Sequence, residues 1–204
     1  MLHAEPSSGL QVRVEAWTFE DFPAVEWVAH FKNTATTNSP MLERIQAFDS
    51  SLPLPGSATT LHWAKGGVAS FDDFQPQTTL LKAGGKLHLQ PGGGRSSSEV
   101  LPFFNVESAG GGVIVAIGWS GEWAADFASD SHGSVALSAG LARTHLVLHP
   151  GEEIRTPRML LLFYQGDRWR GRARQGRTGA ASPRAAAAPQ REDAQPRARR
   201  SFRA

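Results

Sequence analysis

The sequence has no cysteine. Disulfides, thiolate catalysis and cysteine-based zinc sites are therefore excluded. Residues Met1 to Gly9 carry neither a basic n-region nor an apolar h-region. No secretory signal is read there, and a cytoplasmic location is the default expectation. No apolar run approaches the about 20 residues that a membrane helix needs. What is present in quantity is glycine, 21 residues, and proline, 13, scattered between short apolar runs. That pattern predicts many turns and many short strands.

The net charge of +2 hides an asymmetry. Residues 1–166 hold 10 Lys or Arg and 16 Asp or Glu, a net of −6. Residues 167–204 hold 11 Arg and 3 acids, a net of +8. The basic character thus belongs to the end of the chain. The body has no clustered basic face, and nucleic acid is not expected as its partner. Gly171 to Ala204 contains no Val, Ile, Leu, Met or Tyr and a single Phe. Such a segment buries too little apolar surface to offset its ordering entropy and is expected to be disordered.

Before that tail the text alternates. Leu10 to Trp17 switches apolar and polar at period two, the mark of a half-buried strand. Pro23 to Phe31, Thr59 to Trp63, Thr78 to Lys82, Lys86 to Leu89 and Leu101 to Val106 read as further strands. Leu42 to Phe48 fits a strand or two turns of helix, and its strand-like neighbours favour the strand. Phe71-Asp72-Asp73-Phe74 reads as an irregular loop anchored by its two Phe. Gly110 to Gly112 reads as a turn into the apolar run Val113 to Ile117. The run leads to Gly118-Trp119-Ser120-Gly121-Glu122-Trp123, read as a hairpin turn with a heavy aromatic load. Ser134 to Ala139, His145 to Leu148 and the continuous apolar run Met159 to Tyr164 follow, the last expected to be buried on both faces. About a dozen strands over roughly residues 8–168 predict an all-β domain of two packed antiparallel sheets.

The chemistry-bearing residues do not converge on a catalytic motif. Glu20/Asp21, Asp72/Asp73 and Glu152/Glu153 are adjacent pairs, and neighbours on a strand point to opposite faces. They read as turn or surface acids. His145 and His149 are four apart, which in a strand separates them by about 13 Å, so no metal site is expected. Gly118-Trp119-Ser120-Gly121 is one residue short of a nucleophile elbow, and no helix follows. The glycine-rich Pro91 to Ser96 lacks the Gly-Lys-Ser ending of a phosphate loop. Neither a catalytic residue nor a cofactor is therefore expected. Trp119 and Trp123, on a turn with polar neighbours, are candidate carbohydrate contacts, with core packing as the competing reading. Arg95 joins them on side-chain chemistry alone.

The order of short motifs carries a resemblance. Phe22 to Trp27, Asn33, Arg95-Ser96-Ser97, Pro102-Phe103-Phe104, Ile117 to Trp123, Ala139-Gly140, Pro150-Gly151-Glu152, Ile154 to Pro157 and Tyr164 to Asp167 run in sequence over some 160 residues. In that order they resemble the N-terminal domain of the α-galactosidase-like (melibiase) enzymes of glycoside hydrolase family 36. The resemblance implies an all-β, two-sheet antiparallel supersandwich like that of galactose mutarotase. It implies residues 1–8 as an extension, 9–170 as the sandwich and 171–204 as the tail. In the family a catalytic (β/α)₈ barrel follows in cis and carries both carboxylates of a retaining hydrolase acting on terminal α-galactosides. In some members the sandwich also lends loop residues to a neighbouring subunit's sugar pocket in a homo-oligomer.

After Gly166 to Gly171 this sequence turns to Arg, Ala and Pro where the family continues into its barrel. A frameshift or truncated reading frame is the expectation that follows, and the domain alone is expected to be inactive. Two further readings stand beside this one. One is a stand-alone carbohydrate-binding β-sandwich. The other is an interaction protein whose basic tail meets anionic partners.

Overall fold

The computed structural model describes residues 2–5, 8–52, 54, 58–130, 134–166 and 198–202. Among these there is no helix, and every strand pairing is antiparallel. The strands are β1 (Leu2–Glu5), β2 (Leu10–Phe19), β3 (Ala24–Asn33), β4 (Leu42–Glu43), β5 (Gln46–Leu52), β6 (Thr59–Ala64), β7 (Pro76–Leu81) and β8 (Lys86–Leu89). They continue with β9 (Phe103–Ser108), β10 (Gly111–Gly118), β11 (Trp123–Ser129), β12 (Val135–Leu141), β13 (His145–Leu146), β14 (Glu153–Arg155), β15 (Arg158–Gln165) and β16 (Ala198–Phe202). The ambiguous stretch Leu42 to Phe48 is strand, split between β4 and β5 where Arg44 turns to a φ of 48°.

The large sheet runs β1-β2-β3-β15-β10-β9-β6-β7, with β14 also on β3 and β16 also on β2. A four-stranded sheet, β5-β12-β11-β8, lies against it, and β13-β4 forms a small pair. This is the two-sheet antiparallel sandwich expected from the alternation. Of the segment expected to be disordered, only Ala198–Phe202 is described, and it pairs with β2 from Ala16 to Phe19. The remainder of 171–204 lies outside the described residues.

Period two decides which side chains enter. On β10, Val113, Val115 and Ile117 face inward, opposite Val106 and Phe104 of β9 and Phe163, Leu161 and Met159 of β15. From the small sheet come Trp123, Ala125 and Phe127 of β11 and Val135, Leu137 and Ala139 of β12. Burying each large apolar side chain contributes about 1.5–3 kcal/mol. Three rings lock the layers: Phe104 meets Trp123 edge-on at 5.5 Å and Phe127 at 5.3 Å. In the run Met159 to Tyr164 the inner Met159 and Leu161 are buried and Phe163 is half-buried, while on the outer face Leu160 and Leu162 are half-buried and Tyr164 is buried. Gly112 must lack a side chain because a Cβ would collide with the Tyr164 hydroxyl, which donates to Asn105 Oδ1 at 2.9 Å.

Two local details depart from expectation. The turn is Ala109-Gly110 rather than 110–112, since β9 ends at Ser108, β10 begins at Gly111, and Gly110 takes a φ of 85°. Residues 119–122 do not close a hairpin. They carry the chain from β10 in one sheet to β11 in the other. The reason is steric and hydrophobic: Trp123 drops into the space between the sheets, which a hairpin within one sheet would not reach.

β14 and β15 lie in line along β3, interrupted at Thr156-Pro157. Proline brings no N–H to the ladder. The buried Thr156 closes the gap, donating its N–H to Ala29 O at 2.8 Å and accepting from Ala29 N at Oγ1, 3.1 Å. Asn33 does comparable work at the end of β3. Its fully buried amide donates to Thr37 O at 2.7 Å and Leu148 O at 2.9 Å and accepts from Ala35 N at 3.0 Å. It ties the loop after β3 to the loop carrying Leu148, which belongs to the second apolar cluster with Leu42 and Ile45. Asn33→Ala leaves those groups unpaired and is expected to lower unfolding free energy by about 3 kcal/mol. Chemical denaturation checks this, and a loss below about 1 kcal/mol contradicts it.

Candidate carbohydrate-contact site

The three residues singled out in the sequence come from two loops that meet. Ser96 N donates to Ser120 O at 3.3 Å, and Trp123 Nε1 donates to Ser96 O at 2.8 Å. The glycine-rich loop carrying Arg95 is thus stitched to the turn carrying Trp119. Arg95 is exposed at the loop surface. Trp119 is half-buried, one side against the main core and one face under the Arg155 guanidinium, 5.1 Å from the ring centroid. Trp123 has 0% exposure. Its ring is surrounded by core, so it offers no face to a sugar in this domain. Its indole N–H is satisfied by a backbone carbonyl, which removes the cost of burying it.

The glycine-rich loop is closed by its own backbone, with Ser98 N donating to Arg95 O at 3.2 Å and Gly92 N to Ser98 O at 3.2 Å. No phosphate cradle forms at a helix N-terminus, because no helix follows. Ser120 lies on the inter-sheet crossing with its carbonyl bonded to Ser96, far from the geometry of a nucleophile elbow.

The carboxylates are mostly committed to local structure. Glu152 accepts from His149 N at 2.8 Å, and Glu153 accepts from His30 at 2.9 Å. Asp73 receives the Val68 and Ala69 N–H groups at 3.0 and 2.9 Å. Asp72 pairs with Lys65, and hydrogen bonds from Lys65 and then Ser70 hold its carboxyl below the usual 3.8. His145 pairs with Glu43 at 2.7 Å and His149 with Asn38 at 3.0 Å, on separate partners. Among the described residues no group of three or more His, Asp or Glu is placed to hold a metal ion.

Sequence reasoning placed the loop around Phe71 to Phe74 but missed the depression beside it. Lys65 to Gln75 bounds a depression of about 360 Å³ together with Trp63, Glu99 and Val100. The two Phe expected to anchor it point the other way: Phe71 is 97% exposed and Phe74 61%. The reason lies in the backbone. Ala69 and Phe74 sit at φ 65° and 62°, and Glu99 on the facing segment at 64°. Left-handed geometry costs an L-residue roughly 1–2 kcal/mol. Asp73 and the Lys65–Asp72 pair hold it in place. No propensity rule predicts left-handed Ala or Phe, so the sequence carried no signal for it.

No family model and no curated protein matches the chain. Solved structures do. A GH36 α-galactosidase AgaA variant from Geobacillus stearothermophilus, in complex with raffinose, matches at TM-score 0.63 and 18% identity, over 80% of this chain and 23% of that chain. The α-galactosidase from Lactobacillus brevis matches at TM-score 0.61 and 16% identity, over 79% and 22%. The galactosidase domain of AgaSK, an α-galactosidase-sucrose kinase, matches at 0.60 and 18%, over 80% and 23%.

Two measurements test these assignments. Trp123→Ala is expected to cost about 3–5 kcal/mol of stability, as for a large ring removed from a core; a denaturation midpoint near that of the unaltered chain contradicts this. His88 is the second. Asp126, bonded to its Nδ1 at 2.6 Å, raises the imidazole above its ordinary 6.5, against a smaller opposing effect of burial. A raised folded pKa stabilises the fold below pH 6.5 and loses that contribution as pH rises through the raised value. The stability gap between the unaltered chain and His88→Gln is expected to narrow as pH rises through that window. A gap that widens contradicts the pairing.

At under 20% identity these likenesses establish the fold alone: the described domain has the architecture of one region of the GH36 α-galactosidases, and the chain spans under a quarter of their length.

Proposed function

We propose that residues 9–170 are the N-terminal β-supersandwich domain of a retaining α-galactosidase-like hydrolase acting on terminal α-galactosides. In this reading the domain is non-catalytic and inactive by itself, and its partner in cis is a catalytic (β/α)₈ barrel. The observation that carries it is the coverage: about 80% of this chain superposes on only 23% of the α-galactosidase chains. The ordered motifs from Phe22 to Asp167 support the same reading, as does the engagement of Glu26, Glu153, Asp72 and Asp73 in local pairs.

The outer face of the large sheet also fits it. Register places Phe103 beside Ala116, Ala116 beside Leu160, and Ile114 beside Leu162. This stripe is apolar, and Phe103 is 57% exposed on it. A second protein layer is what such a stripe suits. Purified chain assayed on an aryl α-galactoside is expected to give no turnover. Turnover above background overturns the proposal.

A stand-alone sugar-binding module is the second reading. It is favoured by the stitching of the Arg95 loop to the Trp119 turn through Ser96. Calorimetric binding of galactose that disappears in Trp119→Ala would favour it over the first.

A further inference from the structure

Away from the Arg95 loop, the outer face of the large sheet holds a second concentration of charge and aromatic rings. The register sets Arg13 beside His30, and His30 beside Arg155. One step along, Glu15 lies beside Val28, and then Trp17 beside Glu26. Across the sheet Arg158 pairs with Gly118. Together Glu15, Val28, His30, Gly118, Arg155 and Arg158 line a depression of about 270 Å³. That is just under the range of small-ligand pockets, suited to a single ring or a short chain.

The carboxylates around it are spoken for. Glu15 is paired with Arg13, Glu26 with Arg158, and Glu153 with His30 at 2.9 Å and Arg13 at 3.5 Å. Arg155 differs. Its described hydrogen bond is a long one, 3.4 Å, to the backbone carbonyl of Thr156. Its guanidinium lies over the Trp119 ring at 5.1 Å, and that of Arg158 lies over Trp17 at 5.0 Å. Stacking fixes a guanidinium plane while leaving its N–H edges available. A planar fork held in this way matches an oxyanion through two parallel hydrogen bonds. The ring faces are covered by the arginines, so a neutral sugar has no stacking platform there. A Cβ at Gly118 would stand 3.2 Å from Arg158 Cβ, so glycine keeps that edge of the depression clear, and buried Val28 gives an apolar wall. His30 and Glu15 stand on the side wall as partners for hydroxyl groups.

We propose that this depression binds a small hydroxylated ligand through one oxyanion group, a carboxylate or a phosphate, which Arg155 receives beside Arg158. The site is independent of the hydrolase reading, since it uses neither the barrel nor a neutral galactoside. Indole fluorescence of the full chain reports on it directly, because Trp119 and Trp17 back the two guanidinium groups.

Titration at low salt with galacturonate, galactose 6-phosphate and galactose separates the chemistries. Saturable quenching by one or both anions, with none by galactose, is the expected result, and the stronger anion identifies carboxylate or phosphate. Arg155→Gln should weaken that binding about tenfold or more, the loss of one charged hydrogen-bonding group. Gly118→Ala, which crowds Arg158 at the edge of the depression, should weaken it as well, and Arg155→Gln should melt near the unaltered chain. Equal binding of galactose and galacturonate, or no saturation by either anion up to about 10 mM, overturns the proposal whatever the variants do.

Discussion

The burial of Trp123 between the two sheets is the constraint on which the rest depends. It is the first residue of β11, so its position decides where the chain leaves the large sheet and enters the small one. Phe104 meets it edge-to-face and meets Phe127 in the same way, joining β9 and β11 in one packed unit. A buried indole needs a partner for its N–H, and Ser96 O supplies it. That single bond sets the path of the glycine-rich loop, and through Ser96 N it sets the turn at Ser120. The surface position of Arg95 is a consequence of a core requirement.

The two faces of the large sheet then divide the labour. The inner face is mainly apolar, with Thr59 and Ser108 among its buried residues, and holds the sandwich together. The outer face is split. Across β9, β10 and β15 it is an apolar stripe, and across β2, β3 and β14 it is a network of alternating charge with arginines stacked on Trp17 and Trp119. An apolar stripe calls for a protein layer, and a charged depression beside it calls for a polar ligand. Among the described residues, neither arrangement sets a nucleophile beside a base.

Much of the architecture was legible because strand burial is written locally. Val12, Val14 and Ala16 alternate with Gln11, Arg13 and Glu15, and the alternation alone identifies an inner face. Which strands become neighbours is not local, and there the reading failed in instructive ways. Trp119 and Trp123 lie four apart between two strands, so they looked like one hairpin turn; the order of strands in two sheets separates them, one to the rim and one to the core. Phe71 and Phe74 looked like anchors because hydrophobicity does not specify direction, and left-handed backbone at Ala69 and Phe74 turns the loop outward. Arg155 stood in the sequence only as part of the Ile154 to Pro157 motif, and Arg158 drew no attention. They flank one depression only because Thr156-Pro157 breaks a strand and restarts it on the same partner.

The central claim is that this sandwich carries an outer apolar face made for another protein layer. Sedimentation velocity of the purified chain over a range of concentrations, paired with a thermal melt, tests it most directly. Concentration-dependent association or aggregation, diminished when Phe103 is replaced by Ser, is the predicted result. A monodisperse monomer at every concentration, melting in one cooperative step, would contradict it.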